Sequence, residues 1–133
     1  MKPEKDTAQW LRLAELDLEV ARHLFETFRP MPIEPICNHC QQSAEKMLKC
    51  FLIFKEIKPP NIHDLEVLCN MCIEFVEGFN VLSKESATLS HYGVMPRYPN
   101  ELELEEHDAE TAIKYAEKIA DYVNGLLSPA THI

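Results

Sequence analysis

The chain has 133 residues, of which 46% are hydrophobic, and a formal net charge of −9, so we expect one domain with one core over residues 1–133. The acidic charge argues against DNA binding, and it restricts RNA or nucleotide contact to a local basic patch. No apolar run approaches the roughly 18 residues that cross a bilayer, and the chain opens without an apolar signal segment. We therefore expect a soluble cytoplasmic protein with no membrane partner.

Apolar residues recur at helical spacing along the first half of the chain. A first helix begins near Asp6, and we expect it to bury Trp10, Leu13, Val20, Ala21, Leu24 and Phe28. The prolines of the segment RPMPIEP, residues 29 to 35, end it because proline lacks the amide hydrogen. A second helix runs from about Glu34 to Glu56, where the KPPN segment breaks it, and carries a stripe of Cys37, Cys40, Ala44, Met47, Leu48 and Phe51.

The second half continues the helical pattern. A third helix begins at Asn61 or His63, with Gly78 near its end, and its predicted buried stripe is Leu65, Leu68, Cys69, Cys72, Phe75, Val76 and Phe79. A shorter helix covers residues 81–90, and a last one runs from about Leu104 to Leu127. Because no period-two alternation occurs, strands are not expected. The pattern predicts an all-α, up-and-down antiparallel helical bundle of four long helices plus one short helix.

Two Cys-x-x-Cys pairs, at residues 37–40 and 69–72, have the spacing of zinc ligands. Both pairs also lie on the predicted core stripes, where free cysteine behaves as a small hydrophobe. If the second and third helices form an antiparallel hairpin, Cys40 and Cys72 differ in height by about 10 Å, too much for one zinc ion. We therefore expect buried thiols and no metal. Cys50 lies off both stripes and has no evident partner.

The second helix has a polar face opposite its thiols, formed by His39, Ser43, Lys46 and Cys50. This face is either solvated or a subunit interface, or else His39 and Lys46 contact a ligand or RNA. His63 and Asp64 also have two interpretations. In the first, Asp64 is stabilised by the macrodipole at the start of the third helix and His63 caps that helix or stacks at the KPPN corner. In the second, both residues take part in binding.

The segment from His91 to Asn100 places Arg97 between aromatic residues, next to Tyr98. An arginine flanked by rings is suited to hold a phosphate while a base stacks nearby. The alternative is an ion pair between Arg97 and the acidic residues that follow, which are Glu101, Glu103, Glu105 and Glu106. No Gly-rich phosphate loop, Ser-His-Asp set or HExxH motif occurs, so no catalytic centre is evident from the residues alone.

Five segments form an ordered pattern along about residues 9 to 127, and they read WLRLAELDLEVARHLFE, CNHCQQSAEKMLKCFLIF, IHDLEVL, RYPNE and AEKIADYVNGLL. In this order they resemble the HEPN domain (higher eukaryotes and prokaryotes nucleotide-binding domain). The most specific parts are the residues His39, Gln41, Gln42, Ala44, Glu45 and Lys46, together with His63-Asp64-Leu65.

The resemblance implies a helical bundle that forms a homodimer and is encoded beside a minimal nucleotidyltransferase in prokaryotes. It also implies binding of a nucleotide or RNA, in a toxin–antitoxin or defence context. A subset of the family are metal-independent endoribonucleases, in which an arginine is followed four to six residues later by a histidine. Histidine supplies the acid or base and arginine stabilises the charged phosphate, so that chemistry needs no cofactor.

This sequence departs from the ribonuclease motif. Nine residues separate Arg97 from His107 and Arg29 from His39, and Arg22 directly precedes His23. We therefore expect a binding module for a nucleotide, RNA or a nucleotidyltransferase, and whether it is also an enzyme stays open. Its candidate contact residues are His39, Lys46, His63, Asp64, His91, Arg97 and Tyr98. The alternative is a metal-independent endoribonuclease in which His39 or His91 acts with Arg97.

Overall fold

The computed structural model describes residues 3–93 and 104–131, with side chains for residues 6–92 and 104–127. Its α-helices are α1 (Pro3–Thr27), α2 (Ile33–Phe54), α3 (Leu65–Ile73), α4 (Ser83–Gly93) and α5 (Glu106–Thr131). A 3-10 helix, Glu77–Leu82, links α3 to α4. These residues contain no strand, so the predicted all-α class is confirmed.

Helix α2 lies at the centre of the molecule, because α1, α3, α4 and α5 all pack against it. The six residues predicted to form its buried stripe are all buried. Aromatic rings extend this core away from α2. The Phe51 ring centre lies 4.7 Å from that of Phe79, which in turn meets Tyr122 of α5 edge-on at 4.9 Å.

The ends of α2 and α3 are defined by local hydrogen bonds. At the end of α2, Glu56 takes a positive φ of 62°, and the Ile57 amide donates to the Leu52 carbonyl at 2.9 Å. This is a Schellman arrangement, which ends a helix with one left-handed residue. Helix α3 begins at Asp64, whose carboxylate accepts from the Glu66 amide at 2.9 Å.

The third helix is shorter than the spacing predicts, so the bundle has three long helices and two short ones. Helix α3 has 9 residues and ends at Ile73, and Gly78 lies in the 3-10 helix. Phe75, predicted to be buried, is exposed, whereas Phe79 is fully buried. The reason is tertiary. The chain turns after α3 so that Phe79 can pack between Phe51 and Tyr122.

The predicted buried face of α1 needs a similar correction. Leu13 and Phe28 are exposed, and the core face consists of Ala14, Leu18 and Ala21. Small alanines let two helix backbones approach closely, which turns the neighbouring large side chains outward.

All five cysteines are buried, so the interpretation of the two pairs as core residues is confirmed. The Cys72 thiol donates to the Leu48 carbonyl at 3.7 Å, which places it about 12 Å along α2 from Cys40. Cys50 does have a partner, since its thiol donates to the Thr7 carbonyl at 3.4 Å. Among the described residues, no group of three or more His, Cys, Asp or Glu could hold a metal ion.

None of the described helices combines the length and the apolar character of a membrane-spanning segment.

Candidate functional site

The exposed polar side of α2 lies between α1 and the start of α3. We call it the α2 strip, and it consists of Asn38, His39, Gln42, Glu45 and Lys46. Asn38 and Gln42 point to solvent, and the Gln42 amide donates to the Asn38 side-chain oxygen at 2.6 Å. At about 100° per residue, His39 and Lys46 lie on the α1 side of the strip and Glu45 lies on the α3 side.

On the α1 side, one carboxylate binds both predicted site residues of α2. Asp17 accepts hydrogen bonds from His39 Nδ1 at 3.1 Å and from Lys46 Nζ. The Asp17 side chain is 12% exposed, against 35% for His39 and 27% for Lys46. The structure therefore brings His39 and Lys46 together and leaves both within reach of a partner.

Of the alternatives for the face of His39, Ser43, Lys46 and Cys50, a fully solvated face is wrong. Ser43 and Cys50 are fully buried against α1, and the Ser43 hydroxyl donates to the Ala14 carbonyl at 2.7 Å. The polar residues of this face satisfy groups on the neighbouring helix, because a buried hydroxyl needs a hydrogen-bond partner.

On the α3 side, Glu45 accepts hydrogen bonds from three side chains. His63 Nδ1 lies 3.0 Å from its carboxylate, Lys49 Nζ 3.1 Å and Gln41 Nε2 3.1 Å. Burial alone would raise the pKa of Glu45, but the hydrogen bonds from His63, Lys49 and Gln41 outweigh it and lower the pKa. The imidazole of His63 remains 76% exposed. A second carboxylate–histidine pair thus borders the strip.

Of the other candidate residues, Asp64 has a structural role and His91 is exposed. Asp64, and not His63, caps α3, at the helix start where the first of the two interpretations placed both residues. Ser90 Oγ lies 3.5 Å from the Asp64 carboxylate, so the last turn of α4, with the exposed His91, adjoins the start of α3. Arg97 and Tyr98 fall outside the described residues, as do Glu101 and Glu103 of the alternative ion pair.

Two residues of this site, Asp17 and Glu45, were not among the predicted contact residues. Asp17 carries a detectable signal, since it lies three residues after Ala14 and four before Ala21, on the side of α1 that faces the core. A carboxylate at such a position requires cations or donors opposite it.

Carboxylates of the same chain already bind the basic side chains in and beside the α2 strip. Lys46 and His39 contact Asp17, and His63, next to the strip, contacts Glu45. Two arginines that ribonuclease chemistry could use lie elsewhere. Arg22 forms an ion pair with Glu117 of α5 at 2.6 Å, and the Arg29 guanidinium donates to the Phe25 and Phe28 carbonyls. The arrangement suits a polar contact surface better than a polyphosphate site.

Three comparisons with known proteins bear on this chain. The family model of the HEPN domain matches residues 7–126. No curated protein matches the sequence. A solved structure, ST0689, described as an archaeal HEPN homologue, is 26% identical with a TM-score of 0.72, covering 91% of this chain and 97% of that one.

A second solved structure is TT1696 from Thermus thermophilus. It is 23% identical with a TM-score of 0.77, covering 90% of this chain and 96% of that one, and it supports the fold alone. The family match spans nearly the whole described bundle, including both carboxylate–histidine pairs. The chain belongs to the HEPN domain family.

Proposed function

We propose that this chain is a HEPN-type binding module that forms a homodimer and docks a protein partner, a minimal nucleotidyltransferase. The observation that carries the proposal is the pairing of the α2 strip with an apolar surface beside it. This surface, which we call the α1 edge, consists of the exposed Leu13 and Leu16 and the half-buried Val20, which follow one another at spacings of three and four on the side of α1 next to Asp17. Apolar residues bordered by a satisfied polar rim are typical of protein interfaces.

The α1 edge is suited to meet a second copy of itself. Arg12 and Glu19 are exposed and seven residues apart along the same side of α1, with Leu16 between them. In an antiparallel pair of α1 helices related by a twofold axis, Arg12 of each copy faces Glu19 of the other. The two α2 strips then flank this dimer contact and form one larger surface. The identity of the partner as a minimal nucleotidyltransferase rests on family membership.

Self-association is tested with two matched substitutions, each of which replaces an exposed apolar residue by glutamate. Leu16 and Val81 are equally exposed apolar residues, at 54% and 53%, but Val81 lies on the 3-10 helix. We expect the wild type and Val81→Glu to sediment as dimers and Leu16→Glu as a monomer. In Leu16→Glu, the new carboxylate of one copy would lie close to that of the other copy, and the two would repel each other. A monomeric wild type, or a Leu16→Glu variant that still dimerises, would contradict the proposed dimer.

Partner binding is tested on the strip itself. Gln42→Arg adds bulk and charge at the centre of the α2 strip, and Asn70→Arg makes the same kind of change on the exposed side of α3. A minimal nucleotidyltransferase from the same genome, co-expressed with the wild type, should co-purify. Co-purification should be lost with Gln42→Arg and kept with Asn70→Arg. Equal recovery with both variants would exclude the strip as the docking surface.

A second candidate, the metal-independent endoribonuclease, is favoured by one observation. Asp17 binds His39 through Nδ1, which orients the imidazole as an acid–base catalyst requires. This candidate predicts RNA cleavage in EDTA that disappears in His39→Ala. The binding-module proposal predicts no cleavage, and no change in melting temperature with ATP or GTP, since the ammonium group of Lys46 is already paired with Asp17. Cleavage lost in His39→Ala would replace the first proposal with the second.

A further inference from the structure

A cleft of about 510 Å³ opens at the end of the bundle where α2 gives way to its linker. Helix α1 contributes Asp6 and Trp10, the last turns of α2 contribute Lys49, Ile53 and Glu56, and the linker closes the third side. Neither the α1 edge nor any residue of the α2 strip lines this cleft. Its volume is in the range of small-molecule sites.

The walls of the cleft are mainly apolar. The Trp10 indole forms one wall, and Ile53, Ile57 and two prolines of the linker, Pro59 and Pro60, form the rest. Lys49 Nζ lies 6.0 Å from the centre of the Trp10 ring. These surfaces suit a compact apolar group, which gains free energy by leaving water.

The charged residues of the cleft are of both signs. Lys49 and Lys58 supply ammonium groups, and Asp6 and Glu56 supply carboxylates. Lys49 is almost fully buried and donates to Glu45 at 3.1 Å, and an ammonium group has three donors to offer. A ligand with both an anionic and a cationic group would therefore match this set.

Glu56 is held in an unusual backbone conformation beside this cleft. Its φ of 62° lies in the left-handed region, where glycine is favoured and a β-carbon causes strain. The Schellman arrangement at the end of α2 requires a left-handed residue at this position. A glutamate at this position provides the cleft with a carboxylate that glycine would not provide.

From these observations we propose that the cleft binds a small zwitterion with a large apolar side chain, that is, a free apolar α-amino acid. The ligand carboxylate meets Lys49 and Lys58, the ligand ammonium meets Asp6 and Glu56, and the apolar side chain packs against Trp10. The proposal is independent of dimer formation and of the partner protein.

The chain contains one tryptophan, so its fluorescence reports directly on this cleft. L-leucine is the probe because it does not absorb at the excitation wavelength of tryptophan. We expect a saturable change in Trp10 fluorescence with L-leucine. L-leucinamide lacks the carboxylate, 4-methylpentanoate lacks the ammonium and glycine lacks the side chain, so each should bind about tenfold more weakly or worse.

Variants on the rim complete the test. Lys58→Gln and Glu56→Gly should each weaken L-leucine binding several-fold, and Glu56→Gly should do so although it relieves backbone strain. Glu74→Gly is the control, because Glu74 is exposed, lies outside the cleft and has an ordinary φ of −61°. No saturable change in the folded wild type would overturn the proposal. The proposal would also be overturned if all three analogues bound as tightly as L-leucine. The same holds if Lys58→Gln and Glu56→Gly both bound L-leucine with the affinity of the wild type.

Discussion

Asp17 is the residue on which the α1 side of the candidate site depends. It lies nearly buried between two helices and accepts hydrogen bonds from His39 and Lys46. A partly buried carboxylate of this kind is tolerated because its partners replace the water that it loses on folding. The same contacts fix the position of the His39 ring, so Asp17 both joins α1 to α2 and orients a residue of the candidate site.

We expect Asp17→Ala to lower the free energy of unfolding by about 2 kcal/mol, because it leaves two partly buried donors without their acceptor. Urea denaturation at neutral pH measures the loss. Glu26→Ala removes an exposed carboxylate from the same helix and should change stability by less than about 0.5 kcal/mol. Equal losses in the two variants would show that Asp17 has no special role.

The lowered pKa of Glu45 predicts a dependence of stability on pH. Its carboxylate has a lower pKa in the folded state than the ordinary value of 4.5, so the folded state favours the ionised form. Glu45 therefore contributes stability above that value, and the contribution is lost as the pH falls from about 4.5 through the folded pKa.

In urea titrations, Glu45→Gln should be less stable than the wild type at neutral pH. The difference should shrink as the pH falls below about 4.5. The variant keeps some acid sensitivity, since contacts with Lys118 also outweigh burial and lower the pKa of Glu85. Glu66→Gln, at an exposed position in the first turn of α3, serves as the control. A difference that stays constant down to pH 3 would contradict the assignment.

At the scale of elements, two glycines show how packing decides the effect of one methyl group. A β-carbon at Gly78 would collide with the Tyr122 hydroxyl, whose ring packs edge-on against Phe79. A β-carbon at Gly125, within α5, would meet no atom within 4 Å. The 3-10 helix and α5 contact each other through Phe79 and Tyr122. Gly78 lies at this contact, and Gly125 does not.

The expected effects of alanine have opposite signs. Gly78→Ala should destabilise the protein by about 1–3 kcal/mol, because the ring or the 3-10 helix must move. Gly125→Ala should stabilise it by about 0.5–1 kcal/mol, because alanine loses less conformational freedom in a helix interior. Urea denaturation of both variants checks this, and a stabilised Gly78→Ala would show that the contact yields without cost.

The helix bounds expected from the sequence agree with the structure for α2 but not for α3. The prediction for the second helix, Glu34 to Glu56, agrees within about two residues with α2, because prolines precede its start and the KPPN segment follows its end. The third helix was overextended, because apolar residues continue at helical spacing beyond Ile73 with no proline or glycine until Gly78. Its end is set by the packing of Phe79 into the core, which no local pattern displays.

For the whole molecule, the buried thiols allow a global test. Burial raises the pKa of Cys37, Cys50 and Cys72 to about 12, and it raises those of Cys40 and Cys69 as well. A protonated, buried thiol reacts slowly with disulfide reagents.

We expect the folded protein to react with Ellman's reagent at a rate limited by unfolding, and all five thiols to react once urea is added. The reaction is followed by absorbance at mildly alkaline pH. The thiols of Gly78→Ala should react faster than those of the wild type, because the destabilised variant unfolds more often. Rapid reaction of two or more thiols in the folded wild type would mean that a cysteine pair is accessible.

The sequence by itself determined the all-α class, the burial of the two cysteine pairs and the family. These features follow from helical periodicity, from the positions of the prolines and from short motifs, each of which can be recognised within its own segment of the chain. Only the tertiary structure decided which neighbour covers each side of a helix. A period of 3.6 residues places His39, Ser43 and Lys46 on one side of α2, but it does not show that α1 covers that side. The ion pairs of Asp17 and the exposure of Leu13 and Leu16 follow from that packing.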